Sequence, residues 1–224
     1  MALDFAKARR NMVDCQIRTK DVTDPDVIRA FDAVPREAFL PPAQHVRAYI
    51  DEDVMVRERD AGGPARFLME PVPLAALMEL ADIGPDDIVL DVGCATGYST
   101  ALLSLLAGSV VALEEDPELA RRASDALEAN GYSNAVVVEG PLNLGWPGEA
   151  PYDVIFLNGA VDEVPKTLTD QLRPGGRLVA IHGEGLAGEA RLTLRHGDVI
   201  SSRPAFNAAV EPLPGFQKAP AFEF

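Results

Sequence analysis

The stretch Ile88-Val89-Leu90-Asp91-Val92-Gly93-Cys94-Ala95-Thr96-Gly97-Tyr98 decides how this chain is read. An apolar run, 88–90, ends in an acid, Asp91, and a loop of small residues follows with glycines at 93 and 97. A helical pattern then covers 98–106, and a second apolar run, 110–113, ends in another acid, Glu114. Strand, tight loop, helix, strand, acid is the first half of a nucleotide-binding α/β unit, in which loop amides and a helix N-terminus face the ligand.

Two ligand classes compete for such a loop. The dinucleotide fingerprint, G-x-G-x-x-G, cradles a pyrophosphate. Here the loop reads Gly93-x-Ala95-x-Gly97, a spacing too short for that fingerprint, and Asp91 stands two residues ahead of it. A carboxylate at that place repels pyrophosphate and attracts a cation. S-adenosylmethionine carries a sulfonium and an ammonium, so the loop is read as its site. Glu114, at the end of the second strand, is placed to accept from both ribose hydroxyls, a role that NAD sites share.

Working outward, the pattern continues as alternating units. A helix is expected over 117–129, stopped by Asn130-Gly131, and strands over 135–139 and 154–158. A helix over 164–172 ends at Arg173-Pro174-Gly175-Gly176, and a strand covers 177–182. Residues 191–195 and 199–202 read as a hairpin around His196-Gly197-Asp198, with a last short strand near 206–211. Upstream, 71–81 is helical, and 4–33 reads as two helices, the second with Asp24 as N-cap and Pro25 at its first position. Between them, 49–65 is irregular and polar around a short strand, 54–56, with Gly62-Gly63-Pro64 as a hinge; it reads as a lid or as a plain surface linker. Alternating units of this kind form a Rossmann-like, mainly parallel α/β sheet with helices on both faces and an N-terminal helical extension.

Composition sets bounds on partners. The 224 residues carry a net charge of −15, which argues against a nucleic-acid surface. No apolar run is long enough for a membrane span, and no apolar segment follows the cations near the start, so neither a membrane helix nor a secretory signal is expected. Two cysteines, Cys15 and Cys94, suit a reducing cytoplasm and exclude a thiolate metal site, and His45, His182 and His196 lack ligand spacing, so no metal is expected.

Several stretches together resemble one family, the protein-L-isoaspartate O-methyltransferases. Asp91 to Tyr98 looks like their glycine motif, Val34-Pro35-Arg36-Glu37-Ala38-Phe39 with Pro41 is similar to their V-P-R-E-x-F-x-P, and Ala48-Tyr49 with Asp51 matches A-Y-x-D. Pro151-Tyr152-Asp153 opens the fourth strand as in the family, and Val164-Pro165 through Gln171-Leu172-Arg173-Pro174-Gly175-Gly176-Arg177-Leu178-Val179 resembles their I-P-x-x-L-x-x-Q-L-x-x-G-G-x-L-V. The resemblance implies one methyltransferase domain, divided into N-terminal helices and active-site cover (1–70), cofactor core (71–185) and C-terminal strands and tail (186–224). It implies methyl transfer from S-adenosylmethionine to an isoaspartyl carboxylate of a peptide or protein, leaving S-adenosylhomocysteine. The cofactor-binding candidates are Asp91, Gly93, Ala95, Gly97, Tyr98, Glu114, Glu115, Gly140, Pro141 and Asn158.

Two departures from the family coincide with the expected site. Its active-site loop, Q-T-I-S-x-P, is here Arg66-Phe67-Leu68-Met69-Glu70-Pro71, so two hydroxyls become Phe67 and Met69, neither a donor to a carboxylate. The acid expected beside the adenine amino group is replaced by Pro141, with Glu139 the nearest acid. Arg66, Phe67 and Met69 are the substrate-pocket candidates. For Arg66 a bidentate grip on a substrate carboxylate is set against a surface pairing with an acid such as Glu70, and the second is preferred; Phe67 and Met69 are read as packing residues. No catalytic side chain is assigned. The open alternatives are another methyl acceptor on the same scaffold, or a non-catalytic cofactor-binding or interaction protein.

Overall fold

The structure is a computed structural model and describes residues 3–59, 63–183 and 188–217. Gly62 of the expected hinge, the 185/186 boundary and the tail from 218 onward lie outside the described residues. Strands β1 (Val54–Arg57) and β2 (Arg66–Leu68) form a small antiparallel ladder. β3 (Ile88–Val92), β4 (Ser109–Glu114), β5 (Ala135–Glu139), β6 (Tyr152–Val161), β7 (Leu172–His182), β8 (Glu189–His196) and β9 (Val199–Asn207) form one sheet in the order β5-β4-β3-β6-β7-β8-β9. Pairing is parallel from β5 through β7 and antiparallel for β8 and β9. The strand order reverses between β3 and β6, so the crevice for a ligand opens where the carboxyl ends of β3 and β6 diverge.

The parallel strands are apolar on both faces because helices cover both. Alternate residues divide between two cores: Val89, Val154 and Phe156 join the side covered by the N-terminal helices, while Leu90, Val92, Ile155 and Leu157 face the other side with Leu168 and Leu213. The first side receives α1 (Phe5–Met12), α2 (Pro25–Ala33), α3 (Pro71–Ala81) and α4 (Tyr98–Ser104). α5 (Pro117–Ala129) follows β4. The Asp24 cap is the one the sequence predicts, and Asp116 caps α5 in the same way. The Asp24 carboxylate accepts from the amides of Asp26 at 2.7 Å and Val27 at 3.3 Å, and Asp116 does the same for Glu118 and Leu119.

Four expectations are corrected. α4 ends at Ser104 instead of continuing to 106, because the Asn134 side chain donates to the carbonyls of Ser104 and Ala107 and closes the helix from outside. The helix expected over 164–172 shrinks to α6 (Lys166–Thr169), since Gln171 turns its amide onto the carbonyls of Leu144 and Thr167, and Pro174 disfavours helical backbone at Arg173. No separate strand spans 206–211: Phe206 belongs to β9, and the chain then drops to a single bridge between Pro212 and Ala160. β2 was not expected, because three residues show no readable alternation.

Among the described residues no helix is long and apolar enough to cross a membrane, and no group of three or more His, Cys, Asp or Glu gathers as a metal site. Cys15 is exposed and Cys94 is buried, and both are free thiols.

The centre of the sheet is a dry, close-packed layer, with Phe156 fully buried between β3 and β7. Phe156→Ala is expected to cost about 3–5 kcal/mol by lost burial and the cavity it leaves. Urea unfolding followed by circular dichroism checks this, as a lower midpoint with an unchanged slope.

Candidate functional site

Asp91 is the penultimate residue of β3, and its side chain is fully buried. Its Oδ2 accepts from the hydroxyls of Ser99 and Thr100, each at 2.7 Å, and Ser99 Oγ accepts from Asn158 Nδ2 at 2.6 Å. Asp91 Oδ1 and Asn158 Oδ1 are buried and accept no hydrogen bond among the described residues. Two orphaned buried acceptors are costly unless a donor meets them. Burial pushes the Asp91 carboxyl up to about 6; the two hydroxyls pull it down and the charge of Glu114 pushes it up further.

The loop then turns with Gly93 at φ 81°, Ala95 at φ 51° and Gly97 at φ 92°. Only glycine enters that region freely, so Ala95 holds a strained conformation. Its compensation is direct: the Ala95 amide donates to Glu114 Oε2 at 2.8 Å. The loop is also tied to the N-terminal signature, since Thr96 Oγ1 donates to the carbonyl of Phe39 at 2.6 Å.

Glu114 is fully buried at the end of β4 and is saturated with donors. Oε1 accepts from the amides of Glu115 at 3.0 Å and Asp116 at 3.1 Å, and both oxygens face the guanidinium of Arg66, with Nη2 at 2.8 Å from Oε2 and Nη1 in close contact with Oε1. Arg66 is 4% exposed. The expected surface pairing with Glu70 is therefore corrected: Arg66 points inward from β2, a strand that the sequence concealed. Its partner is the acid assigned to the ribose.

The signature arginine explains how β2 is held there. Arg36 is fully buried, its guanidinium lies 4.6 Å from the Tyr98 ring centroid, and its Nη2 donates to the carbonyls of Met69 at 2.9 Å and Leu68 at 3.4 Å. Burial lowers the Arg36 pKa. Tyr98 is buried among Arg36, Phe31 and Phe39, its hydroxyl pushed up to about 12, and lines none of the cavities described here. Asp53 fastens the other end of the cover, accepting from the amides of Glu70 at 2.7 Å and Glu211 at 3.1 Å. Neither Arg36 nor Asp53 was among the site candidates; the V-P-R-E match marked Arg36, but no spacing rule shows that it acts through β2.

Three cavities meet at this place. An open one of about 520 Å³ is lined by Arg66, Glu115, Glu139, Gly140 and Pro141 together with Arg57, so the nucleoside-side candidates do gather. A void of only about 10 Å³ is lined by Arg66, Phe67, Met69, Asn158 and Leu213. An outer cavity of about 650 Å³ shares Phe67 and Pro212 with it. Arg66 lines the first two and stands between them. Leu213 seals the loop itself: a Cβ built on Gly93 would lie 2.5 Å from Leu213 Cδ2. Leu213 is held in place by its amide, which donates to the carbonyl of Ala160 at 2.8 Å.

The donor set fits S-adenosylmethionine. Glu114, once released by Arg66, would offer a buried carboxylate to a diol, the two orphaned acceptors would suit an ammonium, and the open cavity is large enough for a nucleoside. The methionine half has no room while Arg66 and Leu213 stay where they are, since a void of about 10 Å³ holds at most one water.

The family model for protein-L-isoaspartate(D-aspartate) O-methyltransferase matches residues 7–199. The chain is 36% identical over 202 residues to protein-L-isoaspartate O-methyltransferase 2 of Nitrosococcus oceani, covering 90% of each. It is 35% identical over 216 residues to protein-L-isoaspartate O-methyltransferase 1 of Rhodopseudomonas palustris, covering 96% of this chain and 86% of that one. A solved structure named protein-L-isoaspartate O-methyltransferase superposes with a TM-score of 0.79 at 27% identity, over 92% of this chain and 66% of that chain. A Plasmodium falciparum structure, solved in complex with S-adenosyl-L-homocysteine, shares the fold with a TM-score of 0.72 at 18% identity, over 95% of this chain and 99% of that chain.

Asp91 generates a stability prediction. Its carboxyl titrates at about 6 in the folded chain, above the ordinary aspartate value, so the folded state holds the proton more tightly. Stability is therefore lost as pH rises from about 4 towards 6, each unit of the upward shift being worth about 1.4 kcal/mol. Asp91→Asn is expected to remove that slope and to match or exceed the wild type at pH 7.5, as measured by urea unfolding from pH 4 to 8.

Proposed function

The chain belongs to the protein-L-isoaspartate(D-aspartate) O-methyltransferase family, and from that premise we propose that it transfers the methyl group of S-adenosylmethionine to the carboxylate of an isoaspartyl residue in a peptide or protein, leaving S-adenosylhomocysteine. The observation that carries the reading is the pair of buried acids at adjacent strand ends, Glu114 for the ribose and Asp91, with Asn158, for the ammonium. Gly93 and Gly97 let the loop backbone approach the cofactor, and Glu115, Gly140 and Pro141 line its nucleoside side.

When bound, S-adenosylmethionine supplies a sulfonium methyl, which an acceptor carboxylate oxygen takes while the carbon–sulfur electron pair leaves with sulfur. The acceptor is ionised at neutral pH, so no general base is required. The chain has to exclude water and bring oxygen and methyl into line. Phe67, buried Met69 and Leu213 make the wall dry. The reading includes a single methyltransferase domain, a cytoplasmic location and no nucleic-acid partner, the last supported by a net charge of −15. One observation favours a second reading, another methyl acceptor on the same scaffold: Phe67 and Met69 replace the family's hydroxyls.

Labelled methyl transfer to an isoaspartyl peptide, with the matched aspartyl peptide as control, tests the reading. Base-labile label on the isoaspartyl peptide alone is expected. Turnover only with a different acceptor moves the assignment to the second reading, and failure to bind S-adenosylhomocysteine removes both.

Cofactor affinity also acquires a pH dependence. A cationic ligand favours ionised Asp91, so below its free value of about 6 binding must expel a proton. The Kd is expected to rise approaching tenfold per pH unit as pH falls below 6. Calorimetric titration with S-adenosylhomocysteine at pH 5, 6 and 7.5 checks this; a flat profile contradicts the role of Asp91.

A further inference from the structure

Resting on that cofactor reading, we propose that Arg66 exchanges partners during the reaction cycle: it caps Glu114 when the cofactor is absent, and it binds the acceptor's carboxylate once the cofactor's ribose has taken Glu114, so the acceptor binds second. Every acceptor position of Glu114 that faces the cleft is already used. Three backbone amides and both guanidinium nitrogens meet its two oxygens. A ribose diol offers the same two-point donation as the guanidinium, so the two compete for one carboxylate.

The displaced guanidinium cannot be left bare. A buried charge without a counter-charge is strongly unfavourable, and Arg66 is 4% exposed. Its strand gives it one short reach, between the open cavity and the void beside Asn158 and Leu213. That void is bordered by Asp53 and Glu211, whose charges repel a carboxylate, and by Phe67 and Met69, which cannot donate to one. Among the described residues lining it, Arg66 is the only cation; Arg59 lines the outer cavity. An acidic acceptor thus finds its counter-charge in Arg66 alone, and only after Glu114 has been given to the cofactor. Asp53 and Glu211, on the same void, compete with the acceptor for the released guanidinium, but Asp53 is fixed by the amides of Glu70 and Glu211, and Glu211 and Glu115 are exposed, so neither of the latter two gives Arg66 a buried partner.

The test is a binding cycle by calorimetry with S-adenosylhomocysteine and an isoaspartyl peptide, each titrated alone and in the presence of the other. For the wild type, each ligand is expected to tighten the other by the same factor, about tenfold or more. Arg66→Gln is expected to bind S-adenosylhomocysteine more tightly than the wild type, to bind the peptide more weakly, and to lose the coupling. Arg66→Lys, which keeps the charge but not the fork, is expected to recover part of the peptide affinity. A merely structural arginine predicts losses for both ligands in Arg66→Gln, and that result overturns the proposal, as does a wild-type peptide affinity independent of S-adenosylhomocysteine. If the wild type binds S-adenosylhomocysteine and Arg66→Gln binds it no better, the exchange is wrong while the cofactor reading stands; if neither binds it, both fall. Should Arg66→Gln not fold, amide exchange on the wild type decides. Saturating S-adenosylhomocysteine is expected to speed exchange at Arg66 to Leu68 and at Leu213, and unchanged protection there rejects the exchange.

Discussion

The buried ion pair between Arg66 and Glu114 is the constraint on which the site depends. It joins a two-stranded ladder outside the sheet to the carboxyl end of β4, beside the glycine loop whose Ala95 amide also donates to Glu114. Buried ion pairs are poor sources of net stability, because desolvating both charges costs about as much as their attraction returns. Glu114 does not even need Arg66 for its hydrogen bonds, since three backbone amides already serve it. Arg66 is the dependent partner. Without Glu114 its charge would be stranded, although Arg36 and the buried Leu68 would still hold β2.

The surrounding architecture serves the same place. Arg36 lies on Tyr98 and grips the carbonyls at the end of β2, Thr96 ties the loop to Phe39, and Asp53 clasps the backbone at 70 and 211. The scattered signatures V-P-R-E-A-F, D-V-G-C-A-T-G-Y and the residues around Leu213 converge on one crevice as a result. Within it the buried acids Asp91 and Glu114 lie close to Arg66 and Leu213, which leave a void of only about 10 Å³.

Much of this was legible in the chain. Strand–loop–helix order around Asp91 and Glu114 indicates a mainly parallel sheet, because hydrophobic runs and glycine turns are local signals, whereas the strand order is not a local signal. The starts of α3 and α5 follow from Pro71 and Pro117 for the same reason, and β3 runs one residue past Asp91 to the glycine loop. Failures occurred where a distant side chain decides a local outcome. Asn134 ends α4, Gln171 shortens α6, and Glu114, forty-eight residues away, draws Arg66 inward. No pattern near Arg66 could distinguish a partner at Glu70 from one at Glu114, since charge is visible in sequence but reach across a fold is not.

The loss of the family's two hydroxyls looks different against this geometry. Hydroxyls would hold an acceptor carboxylate through neutral hydrogen bonds, each modest in net worth. A nearly buried guanidinium beside Phe67, Met69 and Leu213, with Asp53, Asn158 and Glu211 on the same void, would make a charge-assisted, bidentate contact stronger than one in water. The apolar replacements then strengthen the cation instead of merely removing donors. That trade has one physical condition, a place to keep the cation neutralised until the acceptor arrives. Glu114, the acid proposed for the ribose, meets it, because its two oxygens already face the guanidinium fork of Arg66 in a fully buried place.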